Sequence, residues 1–439
     1  MCPVQRDDAF YQNLLSKRFR FLLNFSQFFG FLPYPLFHLQ SGNGQERKRF
    51  LQLFHTSIGL VMFGTAFVCC VTLYLFYPEI MYEEDVPPLL NTAYHLENVL
   101  KVITVLVALL WPRTSESFYR ESYNGFVQVL KLYGVPGQLD SLLVSVATNS
   151  KRLLFLYSFD ALVNTVSLSL VLGHPVSTLL SLSYILPFLA IITNVLQYSA
   201  MFALIGGIVS SLNDRLHEIA LEDRNFQRSF EKHKKTKYCD HVKCMERVDL
   251  AKIEKLSTLH VALMNLTARI NAHCGPVLLI IMLSSFVQAN IALVELYLNS
   301  DPLNKDPELS DFIIWILFLH TVTNFSYFVI IARANHTIQK EVNERAILML
   351  LEFNCFWNSE QNAMIEYCIG QISNLPETHT ACGMMNLDMK LVPSVVAAIA
   401  SILFILMQFS DSRLLEHCAE QSPMGSFHAV NNTFQSTVL

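Results

Sequence analysis

The sequence predicts an all-α membrane protein of seven transmembrane helices. Its N-terminus is expected in the cytoplasm and its C-terminus outside, with the fourth to seventh helices extended into a cytoplasmic anchor region. Three observations carry this expectation. Of 439 residues, 52% are hydrophobic and only 15% charged, against roughly 25% charged in a soluble domain. Apolar runs of roughly 20 residues, enough to cross a bilayer, recur from end to end. Lys and Arg gather on alternate sides of those runs, the asymmetry that orients a membrane protein.

In chain order, residues 1–50 are expected to form a cytoplasmic N-terminal segment. Its opening, "MCPVQRDDAFYQNLLSKRFRF", has early acids and lacks a compact apolar core with a small-residue cleavage site. It does not read as a signal peptide, so the first span is expected to act as the membrane signal. The transmembrane domain occupies 51–409, with spans near Leu51 to Tyr77, Leu89 to Trp111, Leu153 to Gly173, Thr178 to Ile208, Pro276 to Leu298, Phe312 to Ala332, and Leu391 to Phe409. Seven of the 31 basic residues precede the first span, five lie between the second and third, and eleven between Arg215 and Lys255. Those segments face the cytoplasm. The complementary loops agree, since "PEIMYEEDVPP" has four acids and no base. This orientation is opposite to that of a G-protein-coupled receptor.

Two inner segments, about 209–275 and 333–390, are long and keep apolar residues at three and four spacing, so they are expected to be cytoplasmic helices that bury their apolar faces together. His233, Cys239, His241 and Cys244 lie in the charged stretch between, at a spacing that fits no structural zinc template; no metal and no cofactor is expected. The ten cysteines are scattered and give no disulfide framework. Residues 410–439 are rich in Ser, Gln and Asn and are expected to be an extracellular disordered tail, with Asn431 in a glycosylation sequon. No phosphate loop or nucleophile elbow appears, which speaks against an enzyme. A net charge of −5 and a single basic run beside a membrane speak against a nucleic-acid partner; that run suits anionic membrane lipid instead.

Polar residues inside the spans are the candidates for function, because each is costly in hydrocarbon. Asn91, Tyr94, His95 and Asn98 recur at helical spacing, with Glu97 and Lys101 four apart in the favourable order. Asn164 and Ser167, Tyr184, Gln288 and Glu295, and Trp315, His320 and Asn324 lie on the following spans. Together they suit a vestibule for a small polar or amphipathic molecule; the alternative for each is a satisfied interhelical hydrogen bond. In the last span, Ile405, Gln408 and Phe409 fall on one helical face. Gln408 either lines an aqueous conduit or marks the end of its helix at the headgroups.

From Leu256 onward the chain resembles the insect gustatory receptor family. A helix carrying Leu259 and His260, then Ile270 and Asn271, leads into the fifth span. The last region, "HTACGMMNLDMKLVPSVVAAIASILFILMQF", supplies Thr380, Ala381, Cys382, Gly383, Leu387, Asp388, Gln408 and Phe409 at the family spacing. Ser401 and Ile402 stand where the family has Thr-Tyr. The resemblance implies a taste receptor in the plasma membrane of chemosensory neurons, gated by a small-molecule tastant and passing monovalent and divalent cations. It also implies a homotetramer, or a heterotetramer with related receptors, whose seventh spans line a central pore at Ile405, Gln408 and Phe409. An odorant receptor subunit is the first alternative, with a transporter and a metabotropic receptor behind it.

Overall fold

The computed structural model describes residues 8–29, 31, 45–76, 88–133, 136–171, 176–232, 239–299, 307–351, 359–374 and 379–420. Among these residues eleven helices run α1 (Asp8–Phe28), α2 (Gln45–Phe76), α3 (Pro88–Arg113), α4 (Glu116–Tyr133), α5 (Pro136–Val171), α6 (Val176–Lys232), α7 (Cys239–Asn299), α8 (Pro307–Gln339), α9 (Ile347–Leu351), α10 (Ser359–Ser373) and α11 (Leu391–Glu420). A π-helical turn at Lys340–Ala346 joins α8 to α9, and a hairpin of two short strands, β1 (Thr380–Ala381) and β2 (Met385–Asn386), precedes α11. The described parts of the seven expected spans fall in α2, α3, α5, α6, α7, α8 and α11; Tyr77, Leu172 and Gly173 lie outside the described residues.

Helices α6 and α7 have 57 and 61 residues. At 1.5 Å per residue each is about 85–90 Å long, so each continues far beyond a hydrocarbon layer of about 30 Å. The two pack on each other and on α8, and α5, α2 and α3 pack around α6. Along its most apolar window α7 is 72% buried inside the chain, whereas that of α2 is 28% buried; α7 is a central strut and α2 a peripheral one. Helices α5 and α6 approach closely at Gly207, where an added Cβ would meet the Leu142 side chain.

Among the described residues, five stretches are long and apolar enough to cross a membrane: Leu53–Phe76, Asn91–Arg113, Val176–Glu222, Ile253–Tyr297 and Ile313–Leu351. Leu391–Ile405 is a shorter apolar stretch. Helix α5 shows why its span is less apolar. It buries Leu154, Tyr157, Asp160, Ala161, Asn164 and Ser167, three and four apart, while Phe155, Leu156, Phe159, Leu162 and Val166 are exposed. A helix with carboxylate and amide inward and phenylalanine outward is inverted relative to one that faces water.

Helices α1 and α4 are amphipathic and lie outside the expected spans. Helix α1 buries Tyr11, Leu15, Leu22 and Ser26 against α4 and α5. Arg18 fixes it there, donating from Nε and Nη2 to the two carboxylate oxygens of Asp140 at 2.9 and 2.7 Å. Helix α4 turns Ser122, Phe126, Val129, Leu130 and Tyr133 inward and packs on α7. Helix α11 runs on through "SDSRLLEHCAE" to Glu420, a stretch free of Gly and Pro. Asn431, at the sequon, and His233 lie outside the described residues, as do the side chains of Cys239, His241 and Cys244.

Candidate functional site: a buried polar cluster, a hairpin anchor and an open last helix

The expected vestibule residues converge between α3, α5, α6 and α8. Tyr184 and His320 share a hydrogen bond of 2.6 Å between Oη and Nδ1, with their rings 5.2 Å apart. Asn324, one turn along α8, donates to the His320 carbonyl at 3.1 Å. On α5, Asn164 donates to Asp160 Oδ1 at 3.2 Å and to the Asp160 carbonyl at 3.0 Å. Asp160 is 3% exposed, and its charge lies within electrostatic reach of Tyr157, Tyr184 and Tyr327. Tyr157 stacks on Tyr327 at 5.3 Å and hydrogen-bonds Ser326. Glu97 and Lys101 form a mostly buried ion pair at 2.7 Å near His320.

The remaining candidates divide. Tyr94 donates to Glu295 Oε1 at 2.7 Å, tying α3 to α7. Gln288 is buried and donates to Ser284 Oγ at 3.3 Å. Ser167 is buried but bonds back to its own helix, to the Val163 carbonyl at 2.7 Å. Asn91 and Asn98 are half-buried, and His95 is exposed with its ring edge-on to Tyr74. Trp315 is 70% exposed on the outside of the chain, beside Phe318. Sequence reasoning missed Tyr157, Asp160 and Tyr327. The signal was present in "YSFDALVN", where Tyr157, Asp160 and Asn164 fall on one face of an otherwise apolar helix.

At the other end of the long helices, the residues that carry the family resemblance form one assembly. Leu259 and Ile270 are core residues of α7. Asn271 donates to the Thr380 carbonyl at 2.9 Å, so α7 holds the first strand of the hairpin directly. Its Oδ1 accepts from Tyr198 Oη at 3.2 Å, and Tyr198 shares that proton with Asn335 Oδ1 at 3.0 Å. One hydroxyl thus joins α6, α7 and α8. Asn213 meets His260 Nε2 at 3.2 Å and donates to the Glu341 carbonyl at 2.7 Å, which gives a partner to a backbone group of the π-helical turn.

The hairpin explains Thr-Ala-Cys-Gly. Ala381 is fully buried. Cys382 and Gly383 both have positive φ, 54° and 73°, as the central pair of a mirror-image hairpin turn requires. The Met384 N–H closes the turn on the Ala381 carbonyl at 3.0 Å. Gly275 of α7 lies beneath, where an added Cβ would stand 3.3 Å from the Cys382 nitrogen. Leu387 is fully buried, and its N–H reaches the His379 carbonyl at 2.8 Å. Burial holds the His379 imidazole down to about 4, so it is neutral at physiological pH. Asp388 Oδ1 then accepts from the Lys390 N–H at 3.0 Å, capping α11.

Helix α11 buries one narrow stripe, Leu391, Val395 and Ile399, against α7 and α8. Val396, Phe404, Ile405 and Gln408 are exposed, Phe404 at 63% and Ile405 at 46%. The side chain of Phe409 lies outside the described residues.

A helical bundle with apolar outer faces, a buried polar cluster and a final helix seated on one stripe is the build of a membrane protein. Residues 19–413 match the family described as 7tm chemosensory receptor. The chain belongs to that family, which is one of receptors and not of enzymes. It is 23% identical over 161 residues to candidate gustatory receptor 59f of Drosophila melanogaster, a match covering 36% of this chain and 38% of that protein's length. Its fold is similar to that of the insect olfactory receptor OR5 from Machilis hrabei in complex with eugenol, with a TM-score of 0.61 at 11% identity over 92% of this chain and 100% of that one. A second structure of the same receptor gives 0.59 at 10% identity over the same shares.

Proposed function

We propose that the protein is a gustatory receptor of the plasma membrane of chemosensory neurons, acting as a ligand-gated cation channel of four subunits. The observation that carries this is the open face of α11. An apolar helix that buries a single stripe and leaves Val396, Phe404 and Ile405 exposed presents more apolar surface than one chain covers, and Gln408 shares that face. Copies of the chain arranged about an axis would place Ile405, Gln408 and Phe409 around a conduit. The apolar side chains would close it by dewetting and the carboxamide would meet water and cations. All seven expected spans would then cross the membrane, with the N-terminus inside.

The polar cluster is the ligand site in this reading, with Tyr184, His320, Asn324 and Asn164 among its contacts. A ligand favouring one arrangement of the bundle shifts the equilibrium by its differential affinity. Movement of α7 and α8 reaches the last helix through Asn271, Thr380 and Asp388. The likeness in fold to an insect olfactory receptor favours one second reading, an odorant receptor subunit of the same layout. The test is membrane current from the full chain under tastant panels, with Gln408→Glu beside wild type. Altered ion selectivity in the variant is expected; unchanged permeation removes α11 from the pore. Purified protein that stays monomeric in lipid overturns the channel reading.

A further inference from the structure

Glu97, Lys101, Asp160 and Glu295 are the ionisable residues, apart from His, Tyr and Cys, within the seven expected spans: three acids and one base. Glu97 takes the lysine in its ion pair, and Glu295 receives the Tyr94 hydroxyl. Asp160 has no ion-pair partner among the described residues. It is the most deeply buried of the four. Asn164 satisfies Oδ1, whereas Oδ2, with Thr323 alongside, is buried and takes no hydrogen bond of ordinary geometry.

A second orphan lies in the same cluster. The Tyr327 hydroxyl, on a residue 1% exposed, also has no partner. Around these two atoms stand the rings of Tyr157 and Tyr184, the first stacked on Tyr327 and the second on Phe188 at 5.8 Å. A buried carboxylate oxygen left unmet costs several kcal/mol, and an intramembrane acid without a counter-charge marks a functional position. Aromatic faces beside a carboxylate attract organic cations through their quadrupoles. A neutral alcohol brings no positive charge to Asp160, whose ionised form burial disfavours. A protonated amine supplies both the donor for Oδ2 and the missing positive charge, and its hydrocarbon body suits the aromatic walls.

We propose that the site takes an amine-bearing ligand, whose ammonium group binds Asp160 and whose apolar part lies among Tyr157, Tyr184 and Tyr327. This rests on the reading of the cluster as the ligand site, but its test needs no channel activity. The purified full chain in lipid nanodiscs is heated with phenethylamine or benzyltrimethylammonium, each against phenethyl alcohol, and the midpoint shift is converted to affinity. Both cations are expected to bind at least tenfold more tightly than the alcohol. Asp160→Asn should remove that preference, and Tyr327→Phe should weaken phenethylamine at least threefold. Equal stabilisation by cations and alcohol, or by none of the three, overturns the proposal with wild-type protein alone. A preference that survives in a folded Asp160→Asn variant does so too. Currents evoked only by neutral compounds would sink this inference and leave the channel reading standing; cation binding without current would do the reverse.

Discussion

The two polar assemblies on the long helices are built alike and finished differently. At the hairpin end, Tyr198, Asn271, Asn335 and Thr380 close into a network in which each side-chain amide has both a donor and an acceptor role filled. In the membrane half, Asp160 Oδ2 and Tyr327 Oη are buried without a hydrogen bond of ordinary geometry, Thr323 standing beside the first. Satisfied polar groups rigidify and specify one arrangement, whereas unsatisfied ones hold binding capacity in reserve at a cost in stability. Under the proposed function, the closed network belongs to the seat of the last helix and the unmet atoms to the ligand site.

The contrast can be broken in its strongest form at Lys101. That residue belongs to the membrane half but is paired, at 2.7 Å from Glu97 with both side chains mostly buried. Lys101→Met strands a buried carboxylate and should cost about 3–5 kcal/mol, seen as a large fall in the thermal midpoint. Adding Glu97→Leu should restore most of it. A single variant as stable as wild type would show that the pair is solvated in the folded protein. Asp160→Asn, in the same half, should leave stability unchanged or raised, because it removes a buried acid with no ion-pair partner among the described residues while an amide oxygen can still accept from Asn164.

Asn271→Ala tests the other side of the comparison. It deprives the buried Tyr198 hydroxyl of one acceptor and the Thr380 carbonyl of its donor, and should cost about 3 kcal/mol. The loss should also loosen the hairpin, read as faster amide exchange at Met384 and Leu387. Stability within 1 kcal/mol of wild type would mean that the network is not what seats the hairpin on α7.

Much of this architecture was legible in the sequence, for reasons that differ by region. The spans within α2, α3, α6, α7 and α8 announced themselves through length and apolarity. The extension of α6 past the membrane edge showed in continued three-and-four spacing from Gln197 to Leu221. The motif from Thr380 to Asp388 was visible as a pattern, but its meaning needed the positive φ of Cys382 and the hydrogen bond from Asn271, a contact across 109 residues. Helices α1 and α4 were missed because their apolar residues are diluted by charge, and what stabilises them is docking on α5 and α7. Trp315 was a poor candidate for a periodicity reason: the inward face of α8 runs through His320, Asn324 and Tyr327, and position 315 falls off it.

The hairpin also carries a titration that the membrane half does not complicate. His379 has its pKa lowered to about 4 by burial, against about 6.5 unfolded. The unfolded chain therefore binds the extra proton first, and stability contributed by the neutral ring is present above pH 6.5 and lost as pH falls toward 4. Between pH 7 and pH 5 the loss should be about 2 kcal/mol. His379→Phe keeps a ring against Phe202, 5.8 Å away in the wild type, and should flatten that part of the stability profile. A variant with the same slope as wild type would assign the acid sensitivity to other histidines.

The smallest effect is expected at Asp388, and it asks most sharply whether the anchor governs the last helix. Its carboxylate accepts the Lys390 N–H at 3.0 Å, and its carbonyl receives the Leu391 N–H at 3.1 Å. Asp388→Ala should therefore cost about 1 kcal/mol, with Asp388→Asn recovering most of it because an amide oxygen also caps. The charge itself, at the positive end of α11, adds a few tenths. Global stability will barely register such a change, but the first turn of α11 should exchange its amides faster in the alanine variant alone. If alanine and asparagine behave alike, the hydrogen bond does not hold the turn, and the start of α11 is fixed by the burial of Leu387 and Leu391.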